Sequence, residues 1–172
     1  MNPSLSLQEH ITDLPRLNSL ILRDIPIVPP DSVMRTPKHV PAAKIDFIIS
    51  QDHEGLHPGS MLMQRGDYAH YLLDAWFDPM LRNYDFIKGD QHSLEHLAQW
   101  HPTILNHMAV IPQRILNSYA NSPGDSEYQD GDFVVHFDGC DQPERSCEKE
   151  FLRMWNRRGR AQAVESEELN LI

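Results

Sequence analysis

Hydrophobic and polar positions change period several times along the chain, and each change marks an element. Residues 44–50 (KIDFIIS) form a short apolar run with two adjacent isoleucines, which predicts a buried strand. Residues 51–60 (QDHEGLHPGS) read as turn throughout, because Gly, Pro and Asp crowd one stretch. A second strand is predicted over 60–65 (SMLMQR). From 66 to 83, Tyr68, Tyr71, Leu72, Ala75, Trp76 and Met80 recur at the helical period, which predicts a helix with Asp67 as N-cap. Pro79 should kink that helix or end it.

A further helix is predicted over 89–108, opened by Asp90 and broken near Pro102. Residues 109–119 (AVIPQRILNSY) read as a short strand with its extension, and 122–131 as a polar loop. In GDFVVHFDGC (131–140), the β-formers Phe133, Val134 and Val135 predict a buried strand that ends on His136. An amphipathic helix over 146–161 closes the pattern, with Ser146 and Lys149–Glu150 at its start. Trp76 and Trp100 fall on apolar helix faces, and both are expected in the core. Residues 23–41 contain five prolines, so residues 1–43 are expected to be an extended, irregular surface segment. An α/β portion follows over 44–161, then an acidic tail over 162–172. The strands are too few for a self-sufficient doubly wound sheet.

With 172 residues, 40% of them hydrophobic, the chain can bury a core. A net charge of −10 argues against nucleic acid as a partner, since phosphate binding needs clustered Lys and Arg. No apolar run reaches the roughly 20 residues of a membrane span. The first residues lack the basic and apolar regions of a secretory signal. Ten histidines are by themselves weak evidence for metal. Cys140 and Cys147 lack the paired spacing of a zinc site, and composition favours two free thiols over a disulfide closing a short loop. On local chemistry alone, His136 reads more readily as structural than as a ligand, and Asp90 as an N-cap.

Four segments change this picture: GLHPGSMLMQR (55–65), LLDAWFDP (72–79), GDQHSLEHL (89–97), and GDFVVHFDGC with RSCEKEF (131–151). In this order and spacing the chain resembles the C-terminal part of the galactosyl/mannosyl/xylosyltransferase family. LRDIPIVPPDSV (22–33) resembles the family's fungal mannosyltransferase branch, and the likeness runs over about residues 20–160. The resemblance implies an incomplete GT-A-type fold: the C-terminal half of a Rossmann-like α/β sheet with flanking helices. It implies a Mn²⁺ ion held by a strand-borne Asp-x-Asp pair and by a late histidine, and His136 stands in that histidine's place. Gly139 would let the backbone approach nucleotide phosphates, although Asp141 stands where some plant relatives carry Lys. Asp90 and Gln91 match the acidic-Gln pair beside the donor sugar, as catalytic residues, with Glu95 as a structural partner. The GLHPGS loop would line the acceptor side through His57 and Gly59, His57 replacing the usual Asn. Asp52 would shape the same loop.

The function implied is retaining transfer of a hexose from a nucleotide sugar, GDP-mannose ahead of a UDP-hexose, to a glycan acceptor. The family resides in the Golgi membrane, and some members work in mannosyltransferase complexes. No early strand here ends in Asp-x-Asp; Asp130-Gly131-Asp132 has the spacing but precedes a strand, in a loop. The chain as written is therefore expected to be soluble, inactive alone, and left with open strand faces. The alternative is a non-catalytic subunit or scaffold of such a complex.

Overall fold

The computed structural model describes residues 6–121 and 124–157. Its centre is strand β1 (Phe47–Gln51), which pairs antiparallel with β2 (Leu56–Met63) and parallel with β3 (Met108–Pro112), giving the order β2-β1-β3. The turn expected over 51–60 is compressed into the residues between β1 and β2. Asp52 Oδ1 accepts from Glu54 N at 2.7 Å and Gly55 N at 3.0 Å, and Asp52 N donates to Gly55 O at 3.0 Å. That compact reversal frees Leu56 and His57, both buried, to begin the strand.

After an N-terminal helix α1 (Leu14–Leu20), four helices cross from β2 to β3: α2 (Asp67–Trp76), α3 (Pro79–Arg82), α4 (Asp90–Trp100) and α5 (Pro102–Asn106). Pro79 does end α2, and Asp78 caps the helix that follows by accepting from Met80 N at 2.7 Å. The break before Pro102 is also as expected. Asp67 and Asp90, however, are first helical residues; the caps are Gly66 and Gly89. Leu72, Trp76, Leu94, Leu97, Ala98 and Ile104 pack on Phe47, Ile49, Leu56 and Val110 from one face of the sheet. Trp76 Nε1 donates to Ser93 Oγ at 2.9 Å, fixing α2 to α4. Trp100 departs from expectation: at the end of α4 it is 71% exposed, because the core-facing positions are taken by Leu94, Leu97 and Ala98.

The other face carries a second core, in which Ile48, Ala109 and Ile111 meet Ile11, Leu17, Leu20, Ala42, Ile45, Leu116 and Phe133. Residues expected to be irregular therefore supply structure: a π-helical turn (Gln8–Thr12), then α1 (Leu14–Leu20), capped by Asp13 with Pro15 in its first turn. Leu17 and Leu20 lie one helical turn apart in α1, just after Pro15, and Ile11 joins them from the separate turn before Asp13. Ile27, amid those prolines, is fully buried against the first core. The expectation of open strand faces fails with this: β1 and β3 are buried on both sides, and Leu22 N donates to Val110 O at 2.8 Å along the β3 edge.

Residues 109–119 are not one strand. Pro112, with no amide donor, ends β3 and starts helix α6 (Gln113–Asn117) before a two-residue strand β4 (Ser118–Tyr119). β4 pairs in parallel with β5 (Val135–His136), to which the predicted strand ending on His136 contracts. Helix α7 runs over 147–157, with Ser146 Oγ accepting from Lys149 N at 3.4 Å; the end of that helix prediction and the acidic tail lie outside the described residues. Among the described residues no helix is long and apolar enough to cross a membrane.

Candidate functional site

The parallel strands deliver chemistry at their carboxyl ends, where open α/β sheets characteristically bind ligands. Asp52 follows β1, Tyr119 ends β4, and His136 ends β5. His57 joins them because of an irregularity in the β1–β2 ladder: Ile49 pairs with Met61, but Ser50 pairs with His57. Pro58, Gly59 and Ser60 are looped out, as suits a Pro that cannot donate to a ladder. The buried Asn117 amide stabilises this bulge. Its Nδ2 donates to Ser50 Oγ at 2.6 Å and Ser60 O at 3.0 Å, and lies 3.5 Å from His57 O.

The bulge brings two imidazoles together. His57 and His136 meet edge to face with centroids 4.6 Å apart, and Tyr119 lies against both. Gly59 sits between the rings: a methyl group there would come within 2.5 Å of His57 Cε1 and 2.7 Å of His136 Cε1. Gly59 N donates to His57 Nδ1 at 3.1 Å. Asp138 adds a carboxylate, its Oδ1 4.0 Å from His136 Nε2. Among the described residues, His57, His136 and Asp138 form one group able to hold a metal ion, with ligand atoms all within 4.8 Å of one another.

Burial, and then the neighbouring His57, push the His136 pKa below its ordinary value, against the pull of Asp138 and Asp52. The neutral ring is the form that ligates metals. Burial, together with the hydrogen bond to Asp52, holds the Tyr119 phenol well above its usual range, so it stays a donor, at 2.6 Å to Asp52 Oδ2. Asp52 thus shapes the turn with one oxygen and anchors β4 with the other.

The loop carrying Asp138 is fastened at several points. Gly139 takes a left-handed φ of +60°, and a side chain there would press on Arg145 and Gln142. Arg145 Nη1 donates to Asp138 O at 2.7 Å, and the same guanidinium grips both oxygens of the buried Glu150 at 2.8 Å. That grip holds the Glu150 carboxyl below the ordinary range. Cys140 and Cys147, expected as free thiols, are a disulfide with Cα atoms 4.7 Å apart; the tight return of this loop brings them together.

Gln91 reaches the β1–β2 turn through Glu95. Gln91 Nε2 and Leu56 N both donate to Glu95 Oε1, at 3.3 and 3.0 Å, and Gly55 has room for no side chain against them. The Asp90 carboxylate is exposed and accepts from Gln91 N at 3.0 Å, while its carbonyl accepts from Trp76 and Ser93. Thus His57, Gly59 and His136 converge, Gly139 lies one residue beyond Asp138, and Asp90–Gln91 stand on the helix across the turn. Asp138, Tyr119 and Asn117 were not anticipated from sequence. Asp138 carried a signal, two residues beyond His136; Asn117 carried none, since its role depends on the bulge.

Two motif-like spacings carry no site, and the first of them was overlooked in the sequence. His53-Glu54-Gly55-Leu56-His57 has the His-Glu-x-x-His spacing of zinc proteases, but it spans a turn and a strand start, with the His53 side chain 83% exposed. That motif needs both histidines on one helix face. Asp130 and Asp132, the Asp-x-Asp spacing, are paired to Arg157 at 2.6 Å and Arg114 at 3.1 Å.

The model of the galactosyl transferase GMA12/MNN10 family matches residues 1–148. The chain belongs to this family. Among its relatives, an uncharacterized alpha-1,2-galactosyltransferase of Schizosaccharomyces pombe is 34% identical, over 92% of this chain and 48% of the relative. An alpha-1,2-galactosyltransferase of the same yeast is 32% identical, over 89% of the chain and 42% of the relative. The probable alpha-1,6-mannosyltransferase MNN10 of Saccharomyces cerevisiae is 33% identical, over 81% of the chain and 38% of the relative. The chain thus spans less than half the length of these GMA12/MNN10 relatives. No solved structure matches it.

Proposed function

We propose that this chain carries part of the donor and metal site of a hexosyltransferase. The reaction is retaining transfer of a hexose from a nucleotide sugar, GDP-mannose or a UDP-hexose, to a glycan acceptor in the Golgi. The observation that carries the reading is the convergence of His57, His136 and Asp138 at strand ends, in a chain of this family. The donor set suits a divalent cation: two imidazoles and a carboxylate, gathered around a glycine that leaves space between the rings. Mn²⁺ held there through His136 would offset the charge on a leaving diphosphate.

The chain's own residues do the positioning. His136 presents a neutral ring, aimed by its strand pairing to Tyr119. Gly139 keeps the adjoining backbone free of a side chain, so phosphate oxygens can come close. Gln91, fixed through Glu95, orients the sugar, and the exposed Asp90 carboxylate meets positive charge developing at the anomeric carbon. Asp90→Asn is accordingly expected to lower turnover at least tenfold more than donor affinity, because its interaction strengthens in the transition state. Transfer and hydrolysis assays with GDP-mannose and with UDP-galactose, on the chain fused to the part of a relative that it does not span, check this; equal losses of stability and activity would reduce Asp90 to a helix-start residue.

A second reading, a non-catalytic subunit of a mannosyltransferase complex, draws on the engaged state of Asp130 and Asp132. Cation-dependent nucleotide binding that stays without turnover in the chain fused to the part of a relative that it does not span would favour it.

A further inference from the structure

The loop that follows β5 is tied to helix α7 twice, once by a covalent bond and once by charge. The Cys140–Cys147 disulfide fastens it to the first residue of α7. Arg145, between the cysteines, donates from Nη1 to Asp138 O at 2.7 Å and grips both Glu150 oxygens at 2.8 Å. α7 is in turn pinned beyond the end of β4. Asn121 Nδ2 donates to Glu150 Oε1 at 3.3 Å, and Arg153 Nη2 to Ala120 O at 3.0 Å. We propose that the Cys140–Cys147 disulfide is a redox switch for this loop. Closed, it holds Asp138 and Gly139 in place for the cation and the diphosphate. Opened by a thiol reductant, it frees them while the fold persists. The proposal rests on the donor-site reading above and adds its regulation.

The effect of the bond is local. Asp141, Gln142, Pro143 and Glu144 are all exposed, so no buried apolar surface orders the segment between the cysteines. Among the described residues, neither hydrophobic core includes a residue beyond Val134. A cross-link acts mainly by limiting the open states of the loop it closes. With the bond open, the Asp138 carbonyl depends on one side chain, carried by a segment that regains its conformational entropy.

The bond is also within reach of a reductant. Cys147 is exposed and Cys140 half-buried, and exposed disulfides are the labile ones. The exchange with a dithiol balances within the two molecules. One thiolate of the reductant bonds to Cys147 Sγ, and the Cys140 sulfur leaves with the electron pair of the S–S bond. The second thiolate then displaces Cys147 and closes the reductant as a disulfide, and the reductant's two protons pass to the cysteines. An oxidising compartment keeps the pair closed, and a glutathione-reduced one opens it.

The test compares the full chain in three states: oxidised, reduced with dithiothreitol that is then removed, and reoxidised. Thiol titration in denaturant should count none, then both cysteines, then none. With Mn²⁺ present, GDP or UDP should bind the reduced chain roughly fivefold more weakly or worse, because only the fraction with an ordered loop binds. Reoxidation should restore the affinity. A chain with both Cys140→Ser and Cys147→Ser should bind as the reduced chain does and ignore dithiothreitol, which separates loop release from Mn²⁺ capture by free thiols. Melting should stay cooperative on reduction, and amide hydrogen exchange should quicken over 138–150 and not in β1, β2 or β3. Equal nucleotide affinity in the oxidised and reduced chains would overturn the proposal and leave the donor-site reading standing. Loss of cooperative melting on reduction would overturn it too, by making the bond a requirement of the fold. An oxidised chain that binds neither nucleotide with Mn²⁺ would overturn the donor-site reading and the switch together.

Discussion

At the scale of single residues, Gly59 is the most constrained position in the site. A side chain there would collide with both imidazoles. Gly59→Ala is expected to force the rings apart, costing about 1–3 kcal/mol of stability and at least tenfold in cation affinity. Thermal melting and cation titration check this, and an unchanged affinity would mean that the rings do not act together. His136, Gly59 and His57 were legible because a family resemblance named their positions. Asn117 was not: nothing in RILNSY distinguishes a helix-end amide from one that fills a strand bulge. The same limit explains Trp100, whose place on an apolar helical stripe did not reveal that the stripe's core-facing positions end before it.

Among the elements, legibility followed periodicity. The long helices were readable because one period persists over each, and β1 because it is a continuous apolar run. The stretch 109–119 was misread because its apolar residues serve a strand, a helical turn and a second strand in succession. The β1–β2 turn was misread because Gly and Pro within β2 mark a bulge and not a loop. α4 and β2 are joined by Glu95, whose carboxyl is pushed above its ordinary 4.5, chiefly by burial and despite hydrogen bonds from Gln91 and Leu56. The folded chain therefore keeps this proton to higher pH than the unfolded chain. Stability falls as pH rises from about the unfolded value through the folded one, and above that the buried charge is a constant cost. Glu95→Gln keeps an acceptor for Leu56 N and removes the ionisation. The variant should gain on the wild type as pH rises from 4.5 to 8, read by melting temperature across that range. A constant difference with pH would show that Glu95 does not titrate differently on folding.

On the scale of the whole molecule, the parts arrange themselves around three strands. Helices α2, α4 and α5 cover one face, and the N-terminal helix with α6 covers the other. The site lies where strand ends, the β1–β2 bulge and the Asp138 loop converge. Sequence alone placed the chain in an α/β class and in a transferase family. It did not show that residues 8–21 close the second face, because their helices are short and Pro15 interrupts the pattern. The central claim is that His136 anchors a cation which in turn receives a nucleotide diphosphate. The most direct measurement is calorimetric titration of GDP and UDP into the chain with and without Mn²⁺, for the wild type and for His136→Ala. Nucleotide binding that requires Mn²⁺ in the wild type, and is lost in a His136→Ala variant that still melts cooperatively, is the predicted result. Binding that ignores Mn²⁺, or survives His136→Ala unchanged, would contradict it.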